Sequence, residues 1–343
     1  MIRPSARLLS AAALIALFVP VFQAAAQQHV PPAPDASAPQ APAAPGQPAA
    51  EPSAPAPTAA PAFPKPNPAD FTAVTPTKET VDAFLTANWG FDENRVWQVQ
   101  AILKTPAENV SKIVVYIGDK TGKEKPAAFA FFVLPDGKHI ITGDSIVNFG
   151  DRPFADFRQQ LQQRADGPYR GSASKDLELV EFADFQCPHC KEAQANMDKL
   201  VADFPKARIA FQSFPIAAIH PSSVQAAEYG LCVTKLGGST AFFQFAAAVF
   251  DGQDGLATPD GTALTLNSAV IKVGLDPTKV SACAATPEIK ASVDASVKLG
   301  NDLGITQVPT LVVNGREVPA NIPYETLKKI VAFQAKLDGV AAQ

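Results

Sequence analysis

The sequence predicts a protein of mixed α and β structure, in which a small α+β domain precedes an α/β domain that carries a helical insertion. Three observations predict this class. A segment rich in proline and alanine, residues 28–70, precedes the folded part of the 343-residue chain. A helical pattern followed by strand patterns occupies residues 77–146. Further on, helical patterns over about 214–303 lie between two groups of strand patterns.

The N-terminus has the features of an export signal. Arg3 and Arg7 precede an apolar run over residues 8–22, and three alanines follow at residues 24–26. This order is typical of a secretory signal peptide, which we predict over residues 1–26. An uncleaved membrane anchor is the alternative, although the run is short for a span. Export places the protein in the periplasm, where cysteines form disulfides.

The Pro/Ala-rich segment, residues 27–72, is predicted to be a disordered linker. It has few charges and almost no large side chains, so it cannot bury enough surface to fold, and its prolines favour extended structure. A docking ligand for an aromatic groove is the alternative. The formal net charge of −4, with no basic run in the folded part, argues against a nucleic-acid partner.

Residues 73–152 are predicted to form the small α+β domain. Thr77 is placed to cap a helix over residues 77–87. Strand patterns follow at residues 96–103, 113–117, 128–134 and 139–146, the last two joined by the turn signal Pro135-Asp136-Gly137-Lys138. One helix and a four-stranded antiparallel sheet are therefore expected. A linker helix is predicted within residues 153–170, ended by Gly167-Pro168.

The most informative motif opens the C-terminal domain, residues 171–343. Two cysteines, Cys187 and Cys190, lie between a buried strand pattern at 177–182 and a helical pattern at 191–201. Cys187 would therefore lie at a helix N-terminus, where unpaired backbone N–H groups and the helix dipole stabilise a thiolate.

The two residues between these cysteines suit the same chemistry. Pro188 fits the first helical turn, and His189 can add positive charge beside the sulfur. The motif predicts thiol–disulfide exchange. A structural zinc site would need about four ligands, and a purely structural disulfide across so short a loop would restrain little of the unfolded chain. We therefore expect no metal and no cofactor.

The remaining patterns complete an α/β domain. A strand is predicted at 208–211 and a final helix at 324–337. Between them the sequence predicts helices at 222–232, 240–251, 266–273 and 276–304, followed by strands at 311–313 and 316–318. Asn314-Gly315 is a hairpin signal between these two strands, and Asp276-Pro277 is a helix-start signal.

From about residue 175 to its end, the chain resembles the thioredoxin superfamily, in the DsbA-like branch that has a helical insertion. The resemblance rests on Cys187-Pro188-His189-Cys190, the preceding Val180-Glu181-Phe182, Phe214-Pro215 with His220-Pro221, and Val308-Pro309-Thr310 before Asn314-Gly315. It implies an α/β thioredoxin-like fold with an inserted helical domain, here preceded by a small α+β domain and a Pro/Ala-rich linker.

The resemblance also implies roles for individual residues. Cys187 would be the exposed nucleophile, and Cys190 the buried resolving thiol. Pro309 would be a cis-proline that faces the disulfide, and Val308 would offer backbone hydrogen bonds to an extended substrate. Glu181 would be a buried acid that relays a proton to Cys190.

The chain departs from its better-known relatives in one respect. They pair the buried acid with a lysine on the neighbouring strand, and that strand here reads Ile209-Ala210-Phe211-Gln212. Their redox potentials therefore cannot be transferred to this chain.

The other two cysteines, Cys232 and Cys283, occupy positions where many DsbA-like proteins carry cysteines. The resemblance implies a structural disulfide between them, whose loop would stabilise the fold by about 4 kcal/mol in the chain-entropy treatment. Two free buried thiols, or an auxiliary redox pair, are the alternatives.

Three functions remain open from the sequence. The first is a periplasmic oxidase that donates the Cys187–Cys190 disulfide to reduced exported proteins and is recycled by a membrane redox partner. The second is a disulfide isomerase or reductase kept reduced; the layout of the N-terminal half is loosely similar to dimeric disulfide isomerases, so a homodimer through that domain is expected in this case. The third is a periplasmic chaperone that needs neither cysteine.

Overall fold

The computed structural model describes residues 63–122 and 125–342. The predicted signal peptide and most of the predicted linker lie outside the described residues. Two five-stranded sheets organise the described part, one in each half of the chain. Within it, no helix combines the length and the apolar character needed to cross a bilayer.

The N-terminal domain begins with helix α1, Lys78–Trp89, whose predicted cap is confirmed. The Thr77 hydroxyl accepts a hydrogen bond from the Thr80 N–H and so satisfies one free donor of the first turn. The antiparallel sheet that follows has the order β1-β2-β3-β4-β5. Its strands are β1, Arg95–Lys104; β2, Ser111–Asp119; β3, Ala127–Val133; β4, His139–Thr142; and β5, Ser145–Asn148.

The prediction of four strands in this sheet was wrong. The pattern at residues 139–146 is divided by a turn, and β4 and β5 pair as a hairpin with His139 opposite Asn148. Gly143 has φ 61°, a left-handed conformation that glycine adopts at low cost. The residues on both sides of this turn, Ile140-Ile141 and Ile146-Val147, all have β-branched side chains that favour strands, so residue type alone does not separate the two strands.

The core of this domain lies between α1 and one face of its sheet. Val81 and Leu85 of α1 are fully buried, as the 3.6-residue period requires. They pack against alternate residues of the strands, namely Val99, Ile102, Ile113, Val115, Phe131, Val133 and Ile140.

Helix α2, Ala155–Arg164, connects the two domains and is followed directly by strand β6, Tyr169–Gly171. The sequence predicted the helix but not the strand. Three residues are too few for an alternating pattern to be recognised, and Gly167-Pro168 beside them indicates a loop. β6 pairs antiparallel with a strand of the second sheet and crosses the predicted domain boundary at residue 170.

The second sheet has the order β10-β9-β7-β8-β6. Its other strands are β7, Glu178–Ala183; β8, Arg208–Ser213; β9, Thr310–Val313; and β10, Arg316–Pro319. Only β7 and β8 are parallel, and helix α3, Pro188–Asp203, makes the crossover between them. Helix α8, Tyr324–Leu337, closes the chain and packs with α3 on one face of the sheet.

The helical insertion lies between β8 and β9. It comprises α4, Ser223–Asp251; α5, Pro259–Lys272; α6, Pro277–Ala284; and α7, Pro287–Asp302. Gly238, with φ 77°, interrupts α4 where the sequence predicted two separate helices. The single helical region predicted at 276–304 is two helices, because Pro287 begins a new helix after α6 ends. The predicted Asp276 cap is confirmed, with its carboxylate accepting from the Thr278 N–H.

Arg316 of β10 joins the two domains. Its guanidinium is 4% exposed and donates to the carbonyls of Ala87 and Asn88 at the C-terminal end of α1, the latter over 3.1 Å. It also donates to Gln334 Oε1 over 3.0 Å and stacks on the Phe154 ring. A cation at the negative end of a helix dipole satisfies carbonyls that lack an intrahelical partner.

Candidate active site

The first cysteine of the motif lies where β7 gives way to α3. Cys187 is the N-cap of α3 in an extended conformation, and Pro188 occupies the first helical position. The Cys187 carbonyl accepts the first bonds of the helix, from the N–H of Cys190 at 3.1 Å and of Lys191 at 3.3 Å. The sulfur of Cys187 is therefore held at the positive end of the helix dipole, as the sequence predicts.

The pKa values of the two thiols are shifted in opposite directions. The pKa of Cys187 is lowered to about 6, first by a hydrogen bond from the Cys190 thiol, then by the backbone N–H groups of Cys190 and His189, while burial opposes the shift. The pKa of Cys190 is raised, first by burial. At neutral pH Cys187 is therefore the thiolate and Cys190 the thiol.

Cys187 is more enclosed than the resemblance implied. Its residue is only 6% exposed, against 0% for Cys190, and its backbone carbonyl accepts from Gln253 Nε2 over 2.9 Å. On its other side the sulfur lies 3.9 Å from the Val308 carbonyl oxygen. The expectation of an exposed nucleophile is corrected accordingly: contacts from the insertion and the proline loop leave only a small part of Cys187 open to a partner.

The proline loop borders the thiols. The Val308–Pro309 peptide is cis, Pro309 is buried and Val308 is half-buried. Because the Val308 carbonyl faces Cys187, a peptide that approaches this sulfur passes beside the Val308 backbone. The loop thus brings together the residues that the sequence proposed for substrate binding.

His220 and His189 both act electrostatically on Cys187, and His220 is the one that the sequence analysis did not assign to this role. His189 is exposed and its Nδ1 lies 3.0 Å from Glu192 Oε2, which raises the pKa of His189. Its main aid to the Cys187 thiolate is its backbone N–H, whereas the coulombic contribution that lowers the pKa of Cys187 comes from His220. The sequence-based argument that the His189 charge stabilises the sulfur is therefore incomplete, because His220 contributes as well.

Asp184 positions His220 and was missed by the sequence analysis. Its carboxylate is fully buried and accepts from His220 Nδ1 and from the Ile216 N–H, each over 2.8 Å. Its backbone N–H in turn lies 3.4 Å from Cys190 Sγ. An acid three residues before the first cysteine, at the end of a strand, was the signal available in the sequence.

Glu181 lies behind the second cysteine. It is 2% exposed, and its Oε1 accepts from Gln194 Nε2 over 2.8 Å, while the same amide nitrogen contacts the Cys190 carbonyl at 3.2 Å. The pKa of Glu181 is raised to about 7, chiefly by burial, with Arg170 as the largest opposing influence. A carboxyl that is half-protonated near neutral pH suits proton transfer.

The other two cysteines are bonded to each other. Cys232 of α4 and Cys283 of α6 are joined in a disulfide that spans 51 residues of sequence. Among the described residues, no group of three or more His, Cys, Asp or Glu side chains is arranged to hold a metal ion.

Comparison with known proteins places the C-terminal half in a family. The family described as Thioredoxin matches residues 163–332. Among curated proteins, Na(+)/H(+) antiporter NhaA 3 of Salinispora tropica is 26% identical over 147 residues, which cover 43% of this chain and 21% of the antiporter. Na(+)/H(+) antiporter NhaA 1 of Mycolicibacterium vanbaalenii is 31% identical over 110 residues, or 32% of this chain and 16% of the antiporter. This chain thus matches about a fifth of the length of these relatives.

Solved structures resemble about half of the chain. A thioredoxin-like oxidoreductase from Silicibacter pomeroyi is 26% identical, covers 52% of this chain and 98% of its own, and has a TM-score of 0.45. The thiol-disulfide exchange protein alpha-DsbA2 from Wolbachia pipientis is 23% identical, with coverages of 52% and 95% and a TM-score of 0.44.

The family match and the geometry of the thiols agree. A thiolate at a helix N-terminus, a protonated partner thiol and a buried acid are the groups that thiol–disulfide exchange requires. Through residues 163–332 the chain belongs to the thioredoxin superfamily, with a helical insertion between β8 and β9.

Proposed function

We propose that the protein is a periplasmic thiol oxidase that donates the Cys187–Cys190 disulfide to exported proteins. The observation that carries the proposal is that the pKa of Cys187 is lowered while that of Cys190 is raised. A sulfur with a low pKa is a good leaving group, and stabilisation of its thiolate favours the reduced form of the pair. A protein of this kind passes its disulfide on.

The first step forms a mixed disulfide. A substrate thiolate attacks Cys187 Sγ, a new S–S bond forms there, and the bond between Cys187 and Cys190 breaks. Cys190 leaves with the electron pair and, because its pKa is raised by burial, must be protonated. Glu181, joined to the Cys190 backbone through Gln194, is the acid that supplies this proton.

The second step releases the oxidised substrate. A second substrate thiolate attacks the substrate sulfur of the mixed disulfide, and Cys187 departs as a thiolate stabilised by the N-terminus of α3. The substrate loses two electrons and the cysteine pair gains two. Restoring the disulfide requires an oxidant, which we assign to a membrane-bound redox partner.

Binding of the substrate is assigned to the proline loop. In this proposal the Val308 backbone pairs with an extended stretch of the substrate, beside Pro309, while Cys187 is attacked. Main-chain hydrogen bonds recognise an extended chain with little dependence on its sequence, which suits an enzyme that acts on many exported proteins.

The decisive measurement is the redox equilibrium of Cys187–Cys190 with glutathione. Free thiols are trapped and mapped by mass spectrometry of peptides, so that this pair is distinguished from Cys232–Cys283. A potential well above the glutaredoxin range of about −200 to −230 mV is expected for a donor of disulfides. A potential at or below that range would reverse the assignment in favour of an isomerase or reductase.

Oligomeric state provides an independent check on the direction of exchange. Sedimentation of the full chain is expected to give a monomer for the oxidase. A tight dimer that is lost when residues 73–152 are removed would favour the dimeric isomerase. Retention of full activity by Cys187→Ala/Cys190→Ala would instead leave only the chaperone.

A further inference from the structure

In the proposed mechanism the pKa of the buried acid, Glu181, must stay low enough for proton transfer. Burial alone raises the pKa of Glu181, and an acid whose pKa is too high does not give up its proton to Cys190. The strand beside β7 offers no lysine, since its residues are Ile209-Ala210-Phe211-Gln212. Charge must therefore reach Glu181 from elsewhere in the fold.

The register of the sheet brings Arg170 to the same face as Glu181. Arg170 of β6 lies opposite Ile209 of β8, and Ile209 lies opposite Leu179 of β7. Residues directly opposite each other in neighbouring strands point to one face, and so do residues two apart in one strand. Arg170 and Glu181 therefore share the face that α3 covers, with one strand between them.

Helix α3 supplies the counter-charge on that face. Cys190, Gln194 and Asp198 are four residues apart, so they form one row along the helix. Gln194 donates to Glu181, and Asp198 Oδ1 lies 2.5 Å from Arg170 Nη1. The row thus runs from the buried thiol, past the buried acid, to an ion pair at the surface.

Arg170 is fixed by more than this one contact. Its guanidinium lies 4.5 Å from the centre of the Phe243 ring of α4, and its Nε is buried without a hydrogen-bond partner among the described residues. The Arg170 side chain is 21% exposed and that of Asp198 is 68% exposed, so the carboxylate is the more solvated member of the pair. Its charge is therefore screened more strongly than that of Arg170.

We propose that the Arg170–Asp198 ion pair is a positioning pair that sets the proton affinity of Glu181. The inference rests on the proposed function only where it concerns the rate of thiol–disulfide exchange. The effect of Arg170 and Asp198 on the pKa of Glu181 does not depend on that function.

The two members of the pair act with opposite sign. Arg170 favours the carboxylate form of Glu181 and lowers its pKa, whereas Asp198 disfavours it and raises its pKa. The remaining titratable group that faces Glu181 is Cys190 on α3. Strands β8 and β9, which pair with β7, place Phe211 and Leu311 opposite Glu181 and so bring no charge there.

The test is a titration of the Glu181 carboxyl by ¹³C NMR in the oxidised protein, in which Cys187 and Cys190 do not titrate. Glu181→Gln assigns the signal. Arg170→Gln should move the midpoint up by about one pH unit, and Asp198→Asn should move it down. The double variant should return it towards the parent value, and Arg170→Lys, which keeps the charge, should stay near it.

A matched ion pair in the same domain serves as the control. Arg164 binds Asp302 over 2.7 Å, and neither residue is among the groups that act on the pKa of Glu181, so Arg164→Gln should leave the midpoint unchanged. Shifts of the same sign in Arg170→Gln and Asp198→Asn, or no shift in either, would overturn the proposal. If Arg170→Gln does not fold, the midpoints of Asp198→Asn and Arg170→Lys still test the proposal, which expects a downward shift in the first and an unchanged value in the second.

This readout separates the inference from the proposed function. The carboxyl midpoint can be measured whether the protein oxidises or reduces its substrates. Opposite shifts of the Glu181 midpoint combined with a low redox potential would support the role of the ion pair and exclude the oxidase. Unmoved midpoints combined with a high redox potential would support the oxidase and exclude the role of the ion pair.

Discussion

At the scale of single residues, the cysteine pair shows how position alone separates two identical side chains. Cys187 and Cys190 are one helical turn apart, yet the pKa of the first is lowered to about 6 and that of the second is raised. Hydrogen bonds from the Cys190 thiol and from backbone N–H groups lower the pKa of Cys187, while burial raises the pKa of Cys190. The spacing of the motif predicts the lowered pKa of Cys187 because the start of the helix can be read from the neighbouring sequence.

The charge that acts on Cys187 is encoded only partly in the neighbouring sequence. Sequence reasoning assigned it to His189, which interacts with Cys187 but also pairs with Glu192. His220 reaches the site from the insertion, held by Asp184. Contacts between residues 36 apart depend on the tertiary fold, which a single sequence does not reveal.

The first prediction concerns the acidity of Cys187. Below a pH of about 6 the sulfur is a protonated thiol, and above it a reactive thiolate, so the alkylation rate of the reduced protein should rise with a midpoint near that pKa. His220→Gln removes the coulombic contribution that lowers the pKa of Cys187 and should move the midpoint upward. His139→Gln, which breaks a similar His–Asp contact in the N-terminal domain, should leave it in place. An unmoved midpoint in His220→Gln would remove His220 from the site.

The second prediction concerns Glu181. Glu181→Gln keeps the shape and the contact with Gln194 but cannot transfer a proton, so exchange at Cys190 should slow by roughly a hundredfold at neutral pH. Stopped-flow measurement of mixed-disulfide formation and resolution gives the rate. Glu178→Gln is the matched control, since Glu178 is a buried acid on the same strand that pairs with Arg208 instead. Equal rates in Glu181→Gln and the parent would exclude the relay.

At the scale of elements, the sequence predicted helices better than it predicted short strands. Helices α1 and α6 begin after the predicted N-cap residues Thr77 and Asp276. N-caps can be predicted from sequence because capping is a contact between near neighbours. The strand β6 was missed because its three residues are held by pairing with β8, a contact outside its own segment. The helical insertion and the order of the strands around it were recognisable from pattern and resemblance.

The third prediction concerns the bridge between α4 and α6. Cys232→Ala/Cys283→Ala removes a cross-link over 51 residues, and the free energy of unfolding should fall by about 4 kcal/mol in the chain-entropy treatment. Urea unfolding of the oxidised protein measures the loss. The redox potential of Cys187–Cys190 should stay unchanged. A shifted potential, or reduction of both pairs at the same glutathione ratio, would favour an auxiliary redox pair over a structural bridge.

At the scale of the whole molecule, Arg316 shows how the two domains are held together. Burial lowers its pKa to about 10, with Asp338 opposing the shift, so the guanidinium stays charged at neutral pH. The charge is balanced by carbonyls of α1 in the other domain and by Gln334 of α8. The sequence could not indicate this contact, because it joins residues 228 positions apart.

The last prediction concerns this joint. Arg316→Leu leaves the carbonyls of Ala87 and Asn88 without their donor, and each lost bond to a charged group costs about 2 kcal/mol. Because the bonds cross the domain boundary, the loss should uncouple the domains, and calorimetry should show two separated transitions where the parent shows one. Arg152→Leu is the matched control: Arg152 is 57% exposed and lies 3.5 Å from Asp338, and such a surface pair contributes less than about 1 kcal/mol. Two transitions in the parent itself, or one undisturbed transition in Arg316→Leu, would show that Arg316 does not couple the domains.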